Sequence, residues 1–329
     1  MPSAIQVKTL VNSHYAGDNE QFNTVALQIA ATEARQGHEQ FAQELERLVN
    51  VAQKKESAKR VVSINEPQGD LRSLLSLSYP KTRLADMVLS ESLKLKIDRI
   101  LLEQRNAERI EHNGLSPRRK LILVGPPGTG KTMTAAALAG ELGLPLFQIR
   151  LDGLISKYLG ETAAKLRLVF EASENTLGVY FFDEFDAVGA ERGLSSDVGE
   201  ARRILNSFLM MLEENNSNSL ILAATNHPEI LDTALYRRFD DVLTYEMPDK
   251  HHVVTILKDK LSLYADFNFD SVAANADGLS YAEITKAAEE VIKTALIENR
   301  NSITADETIC ALNERKIMKE QLKTLTVKR

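Results

Sequence analysis

The chain has few of the residues that build covalent or metal-held scaffolds. Of its 329 residues a single one, Cys310, is a cysteine, which excludes an intramolecular disulfide and a thiol-based metal cluster. No apolar run approaches the roughly 18 residues that suggest a membrane-spanning helix, and the first residues lack the apolar centre of a signal peptide. Neither charge sign dominates. Forty Lys and Arg against 46 Asp and Glu leave a net charge of −6, so the balance argues for neither nucleic acid nor membrane as a partner. The basic clusters Lys54-Lys55, Arg118-Arg119-Lys120 and Lys328-Arg329 are short and read as solvated faces. There is no His-Glu-x-x-His motif and no Ser/His/Asp arrangement, so any proteolysis belongs to a separate chain. The expected location is the cytoplasm.

What is present centres on one stretch. Leu121 to Val124 are four apolar residues, followed by Gly125, Pro126, Pro127, Gly128, Thr129, Gly130, Lys131, Thr132 and Met133, and then by strong helix formers to Leu142. This reads as a buried strand, a phosphate-cradling loop and a helix. Glycines leave backbone N–H groups free to face a polyphosphate. Lys131 supplies a cation to its outer phosphates, and the Thr132 hydroxyl is placed to ligate Mg²⁺. The start of the helix adds its positive end. This is a nucleotide site.

Length and ordinary composition predict about two domains plus an appendage. Residues 3–16 read as a short helix. A possible capping box at Asp18 and Gln21 opens a second, with Phe22, Val25, Ala26, Ile29 and Ala30 on one face and Gly37 at its end. A third follows from His38 to Lys55 with Phe41, Leu45, Leu48 and Val49 on its apolar side. Residues 1–56 therefore form an N-terminal helical hairpin module, with too small a core to stand alone. Residues 57–80 read as a linker whose Leu71, Leu74, Leu75 and Leu77 either dock a partner or pack on the next domain. Ser90 to His112 is an amphipathic helix. Strands are expected at Leu121–Val124, Leu144–Ile149, Val179–Phe182, Leu220–Ala224 and Val242–Tyr245, with helices between them. That alternation predicts an α/β domain over 81–247, a parallel five-stranded sheet with helices on both faces. Helices at 250–264, 269–276, 281–299 and 304–321 make residues 248–329 a small all-α lid.

Further signals sit at strand ends. Asp183 and Glu184 follow Val179-Tyr-Phe-Phe182, so Asp183 is a candidate Mg²⁺ ligand and Glu184 a candidate base for the attacking water. Asn226 ends Leu220-Ile-Leu-Ala-Ala-Thr225. It either orients that water or belongs to a turn with His227 and Pro228. Arg237 and Arg238 either clamp a transferring phosphate or pair with Asp240 and Asp241.

Gly-Pro-Pro-Gly-Thr-Gly-Lys-Thr (125–132), Phe-Phe-Asp-Glu-Phe-Asp (181–186), Ala-Thr-Asn (224–226) and Ala-Leu-Tyr-Arg-Arg-Phe-Asp (234–240) together resemble the AAA ATPases. They are similar to the branch with katanin, spastin and the membrane-bound zinc-protease unfoldases, over roughly residues 82–320. The resemblance implies the P-loop NTPase fold with a helical lid, ATP and Mg²⁺ as cofactors, and a homo-oligomeric ring, a hexamer, with ATP at each subunit interface. It places Asn226 at the sensor position and Arg237 and Arg238 in the arginine-finger segment that acts on the neighbour's nucleotide. Two departures stand out. The arginines are contiguous where family members commonly separate them by Pro-Gly. Gly278-Leu-Ser-Tyr-Ala-Glu-Ile284 carries Tyr281 for a glycine and Glu283 for an aspartate.

The resemblance also puts Lys157, Tyr158 and Leu159 on the loop lining the central pore, where an aromatic grips extended polypeptide. Outside the resemblance, a tyrosine packed on its own domain is the ordinary reading. Glu191 to Asp197 matches a second pore loop. The function implied is ATP-driven remodelling, unfolding or threading of a protein substrate. The alternative is a nucleotide-switched scaffold or regulator whose ATP state controls assembly with a partner. The N-terminal segment Ala26 to Arg35 is similar to small bacterial AAA ATPases paired with subtilisin-like serine proteases, some implicated in defence. On that likeness a separate serine protease is a candidate partner, with the hairpin docking it or recruiting substrate.

Overall fold

The computed structural model describes residues 8–9, 13, 19–35, 37–38, 41–44, 47, 70–154, 159–185, 197–228 and 236–327. The chain divides into two compact units between residues 63 and 64.

In the first unit, helix α1 (Asn19–Arg35) buries Val25, Ala26, Ile29 and Ala30 on the expected face. Gly37, at φ 88°, ends it. Gly37 N–H donates to Ala34 O and His38 N–H to Glu33 O, the paired bonds of a Schellman stop. Residues 41–44 and 47 are helical. The capping box at Asp18 and most of the expected helices over 3–16 and 38–55 lie outside the described residues.

The second unit opens with α2 (Asp70–Leu74), β1 (Leu75–Ser78), α3 (Glu91–Arg105) and α4 (Ala107–His112). The single helix expected over 90–112 is thus two, broken at Asn106, whose side-chain amide donates back to Leu102 O. There follow β2 (Lys120–Val124), α5 (Lys131–Leu142), β3 (Leu146–Ile149), α6 (Leu151–Leu154), α7 (Leu159–Asn175), β4 (Val179–Phe182), α8 (Asp197–Glu214), β5 (Leu220–Thr225) and β6 (Asp241–Thr244).

The α/β expectation holds, with one strand added. The sheet runs β1-β3-β4-β5-β2-β6; every pairing is parallel except β1 with β3. The strand beyond the expected five comes from the stretch read as linker. Leu74 and Leu75 are buried in the sheet's own core, and Leu75–Ser78 pairs residue by residue with Leu146–Ile149. Of the two readings of those leucines, packing on the following domain is the one realised.

Every residue of β4 and β5 is buried, as a sheet covered on both faces demands. One face is filled by the rings of Phe170, Phe182, Phe185 and Phe208, with Phe185 and Phe208 centroids 4.3 Å apart. The other packs Ile97 and Ile100 of α3 and Leu138 of α5 over Leu121, Leu123 and Phe181.

After β6 the chain is helical: α9 (Lys250–Leu261), α10 (Phe269–Ala273), α11 (Tyr281–Ile297) and α12 (Ala305–Val327) around their own core, including Leu257, Leu261, Ile284 and Leu312. Among the described residues no helix is long and apolar enough to cross a membrane.

Candidate nucleotide site

Parallel pairing brings the C-terminal ends of β2, β5 and β4 to one edge of the sheet, where ligands of such sheets bind. The loop 125–130, Asp183-Glu184 and Asn226 all emerge there. Gly125 N–H donates to Thr225 O, tying the loop's first residue to the one before Asn226. The cradle is tight. A Cβ on Gly125 would lie 2.3 Å from Tyr245 O, and one on Gly128, at φ 75°, 2.6 Å from Ser280 Oγ. Pro127 is exposed at its rim, while Thr129 is buried and its hydroxyl donates to Pro126 O at 2.7 Å. Gly130 is the N-cap of α5, so that helix points its N-terminus into the loop.

Lys131 is buried, and its ammonium donates to Gly125 O at 2.7 Å and Pro126 O at 2.8 Å. A cation on two carbonyls at the mouth of an anion cradle is held next to where phosphate oxygens would sit. Thr132, the second residue of α5, is exposed and donates through Oγ1 to Asp183 Oδ2 at 2.8 Å. Hydroxyl and carboxylate therefore converge as two hard oxygen donors, a set that fits Mg²⁺ beside a polyphosphate. Met133 follows with its side chain partly in solvent.

Glu184 is exposed and left-handed, at φ 50°. For a non-glycine residue that conformation costs on the order of 1–3 kcal/mol and persists where neighbours over-determine it. Here Asp183 Oδ1 accepts its N–H at 3.0 Å, and Phe185 on the other side is buried against Phe208. Burying such a ring contributes about 1.5–3 kcal/mol. The anchored ring and the strand end together hold the Glu184 carboxylate out towards solvent beside Asp183.

Asn226 is half-buried, and Thr225 Oγ1 accepts the His227 N–H at 3.0 Å, so turn chemistry and proximity to the loop coexist there. The two arginines do not join this group. Asp240 N–H donates to Lys120 O, and Asp240 Oδ2 accepts from the N–H groups of Arg119 and Lys120, all at the start of β2. Four strand steps, about 13 Å, separate that end of β2 from the loop. The expected alternative pairing with Asp240 and Asp241 is corrected among the described residues. Asp241 pairs with Arg118 at 3.0 Å and Lys96 at 3.4 Å, while Arg238 pairs with Glu213 of α8 at 3.0 Å. Arg237 is exposed and has no ion-pair partner among the described residues.

Leu159 opens α7, but its side chain, with Lys157 and Tyr158, lies outside the described residues, as does 191–196 of the second pore segment.

A small cleft of about 60 Å³ beside the loop was not legible in the sequence. Val88, Leu89 and Leu93 line it from the segment leading into α3, Thr129 from the loop, and His252 and Tyr281 from the lid. Tyr245 also lines it, and its hydroxyl donates to Thr134 Oγ1 at 2.6 Å. Burial pushes the Tyr245 phenol up, so it stays a neutral donor. The lid meets the loop directly, with Ala282 N–H donating to Gly128 O at 3.1 Å.

Residues 121–247 match the family described as ATPase family associated with various cellular activities (AAA). A protein of Sinorhizobium fredii described as uncharacterized AAA family ATPase y4kL is 35% identical over 300 residues, covering 90% of each chain. The chain belongs to the AAA family of ATPases.

An ATP-dependent zinc metalloprotease FtsH of Synechococcus is also 35% identical over 240 residues, 69% of this AAA chain but 38% of that protein. One from Marinobacter nauticus is 37% identical over 228 residues, 66% and 36% of the two chains. This AAA chain thus spans little more than a third of those metalloproteases. All the nucleotide-site candidates from Gly125 to Arg238 fall inside the matched family segment.

Proposed function

We propose that the protein is a ring-forming ATPase that threads or remodels protein substrates, each active site being completed by a neighbouring copy. The observation that carries this reading is the separation of Arg237 from the phosphate cradle. Asp240, three residues after Arg237, is bonded to the start of β2, whereas the cradle follows the other end of that strand, so the arginine segment enters the sheet at the end away from the loop. A head-to-tail ring brings opposite ends of neighbouring sheets together, and such heterologous contacts close into rings. Arg238 is held by Glu213, which leaves Arg237 as the finger.

In this reading the Lys131 ammonium exchanges its loop carbonyls for phosphate oxygens. Thr132 and Asp183 hold Mg²⁺, which supplies neutralisation of the charge on the phosphates. Glu184 accepts the proton of the attacking water, and Asn226 orients that water. Arg237 from the next copy stabilises charge developing on the transferred phosphoryl group.

The domain division is proposed as an N-terminal module ending near residue 56, an ATPase domain and a lid from 248. The segment Lys157–Leu159 is proposed to line the pore and grip substrate, with Glu191–Asp197 as a second loop. The N-terminal module recruits substrate or docks a separate serine protease, and the protein acts in the cytoplasm.

Complementation tests the shared site. Arg237→Ala and Glu184→Gln are each inactive alone. Mixing them restores phosphate release, because intact Glu184 in one copy meets intact Arg237 from the other. A mixture as inactive as its components refutes the shared site. Tyr158→Ala tests the threading: ATP hydrolysis persists while substrate unfolding is lost, and retention of both favours the nucleotide-switched scaffold.

A further inference from the structure

Tyr245, the residue that follows β6, is buried and reaches the phosphate loop at both of its ends. At the first end the contact is made by backbone. Tyr245 N–H donates to Val124 O at 2.7 Å, and its carbonyl lies so near Gly125 that no Cβ fits there. At the far end the contact is made by the side chain. Tyr245 Oη donates to Thr134 Oγ1 at 2.6 Å, and Thr134 Oγ1 donates in turn to Gly130 O at 3.1 Å. Thr134 is fully buried, and its N–H donates to the same carbonyl at 2.8 Å. A hydroxyl has one proton to give. That of Thr134 goes to Gly130, so the proton between the two side chains is the one on Tyr245. Burial keeps the phenol in its neutral, proton-bearing form.

We propose that Tyr245 is a positioning residue of the phosphate site, holding Gly125 and Gly130 at a fixed span so that the loop keeps its shape when a phosphate draws Lys131 away. This rests on the nucleotide reading of the loop. Lys131 braces the loop from inside through Gly125 O and Pro126 O. On that reading its ammonium moves to phosphate oxygens, and both bonds are given up. The hold of Tyr245 does not compete with the anion. It uses only the carbonyls of Val124 and, through Thr134, of Gly130, and a carbonyl has no proton to offer a phosphate. A cradle whose two ends are already fixed loses less freedom when it binds, and that raises affinity. The two hydroxyls also depend on each other. Without Thr134 Oγ1 the Tyr245 phenol loses its acceptor inside the protein, where an unmet polar group is costly.

Steady-state hydrolysis of ATP with Mg²⁺ and equilibrium binding of inorganic tripolyphosphate to the full chain, with melting curves on the same samples, test the assignment. Tyr245→Phe keeps the ring and removes the hydroxyl. Its KM for ATP and its Kd for tripolyphosphate both rise about fivefold, the scale of one net hydrogen bond. Its kcat is kept, because a loop that holds substrate and transition state alike changes binding uniformly. Thr134→Val raises KM and Kd at least as much, and Thr134→Ser recovers most of that loss. Tyr245→Phe combined with Thr134→Val is no weaker than Thr134→Val alone, as two hydroxyls acting as a unit require.

A Tyr245→Phe variant with a lowered Tm but the parent's KM and Kd overturns the positioning role, since the hydroxyl then serves stability only. A loss confined to kcat overturns it as well. Additive losses in the double variant overturn the route through Thr134. A parent chain that binds neither ATP nor tripolyphosphate overturns the nucleotide reading itself.

Discussion

Thr132 Oγ1 donates to Asp183 Oδ2 across 2.8 Å, joining the first turn of α5 to the end of β4. On the proposed reading these two groups would hold Mg²⁺, the Thr132 hydroxyl through a lone pair and the Asp183 carboxylate directly or through water. Thr132→Ala removes one donor. The Mg²⁺ concentration needed for half-maximal ATP binding then rises about tenfold, the scale of losing one partner at a metal site, and Thr132→Ser keeps the parent value. A magnesium titration followed by a fluorescent ATP analogue reads both.

Glu184 combines a proposed role with a strained backbone, and the two separate by substitution. Glu184→Gln keeps ATP affinity and loses about 10²–10⁴ in hydrolysis, the range of general-base catalysis. Glu184→Asn is equally inactive, yet its Tm is no lower than the parent's, because Asn tolerates the left-handed conformation at φ 50°. Phosphate release and thermal melts on the same samples check the pair. A Glu184→Gln variant that turns over at the parent rate ends the water-activation role.

Gly128 answers to two constraints, its positive φ and Ser280. Gly128→Ala costs about 1–2 kcal/mol from the left-handed backbone alone, and its Cβ would meet Ser280 Oγ at 2.6 Å. ADP affinity falls as the lid is pushed from the loop. Adding Ser280→Gly relieves the collision but not the backbone cost, so binding recovers in part while Tm does not. Calorimetric titration and melting measure these separately.

Glu283 gives the lid a pH dependence. Burial works against its ionised form, but the N–H and hydroxyl of Ser280 and the ammonium of Lys319 outweigh it, and its pKa falls below the ordinary 4.5. A carboxyl lowered by folding stabilises the fold above its unfolded pKa, and that contribution is lost as pH falls through the folded value. Glu283 and Lys319 are partly exposed, so the effect is modest. Between about pH 6 and pH 3 the parent loses more Tm than Glu283→Gln. Equal slopes would show that Glu283 titrates alike in both states.

Residues that act through their own sequence neighbourhood were legible before the structure. The run Leu121 to Thr132 declares strand, loop and helix by composition alone, and Asp183-Glu184 gains meaning from the apolar strand before it. Arg238 with Glu213 was not legible. The partners are 25 positions apart, and the pairing depends on where α8 lies against the start of β6. Position 281 was marked by its departure from a motif, but its wall-forming role appears only when the lid closes on Val88 and Leu93. Leu75 to Ser78 carried no readable signal. Four residues in two alternations are too few to announce a strand, and their partner lies about seventy positions downstream.

That short strand bears on how the protein can be divided. Leu146–Ile149 pairs with β4 on one side and β1 on the other, and its Leu146, Phe147 and Ile149 are buried. A chain started at residue 81, where composition alone would cut, leaves the backbone donors and acceptors of this apolar segment open on one side. Unpaired edges of that kind recruit strands from other molecules. Such a truncation would retain every candidate residue of the nucleotide site and still self-associate edge to edge into irregular aggregates.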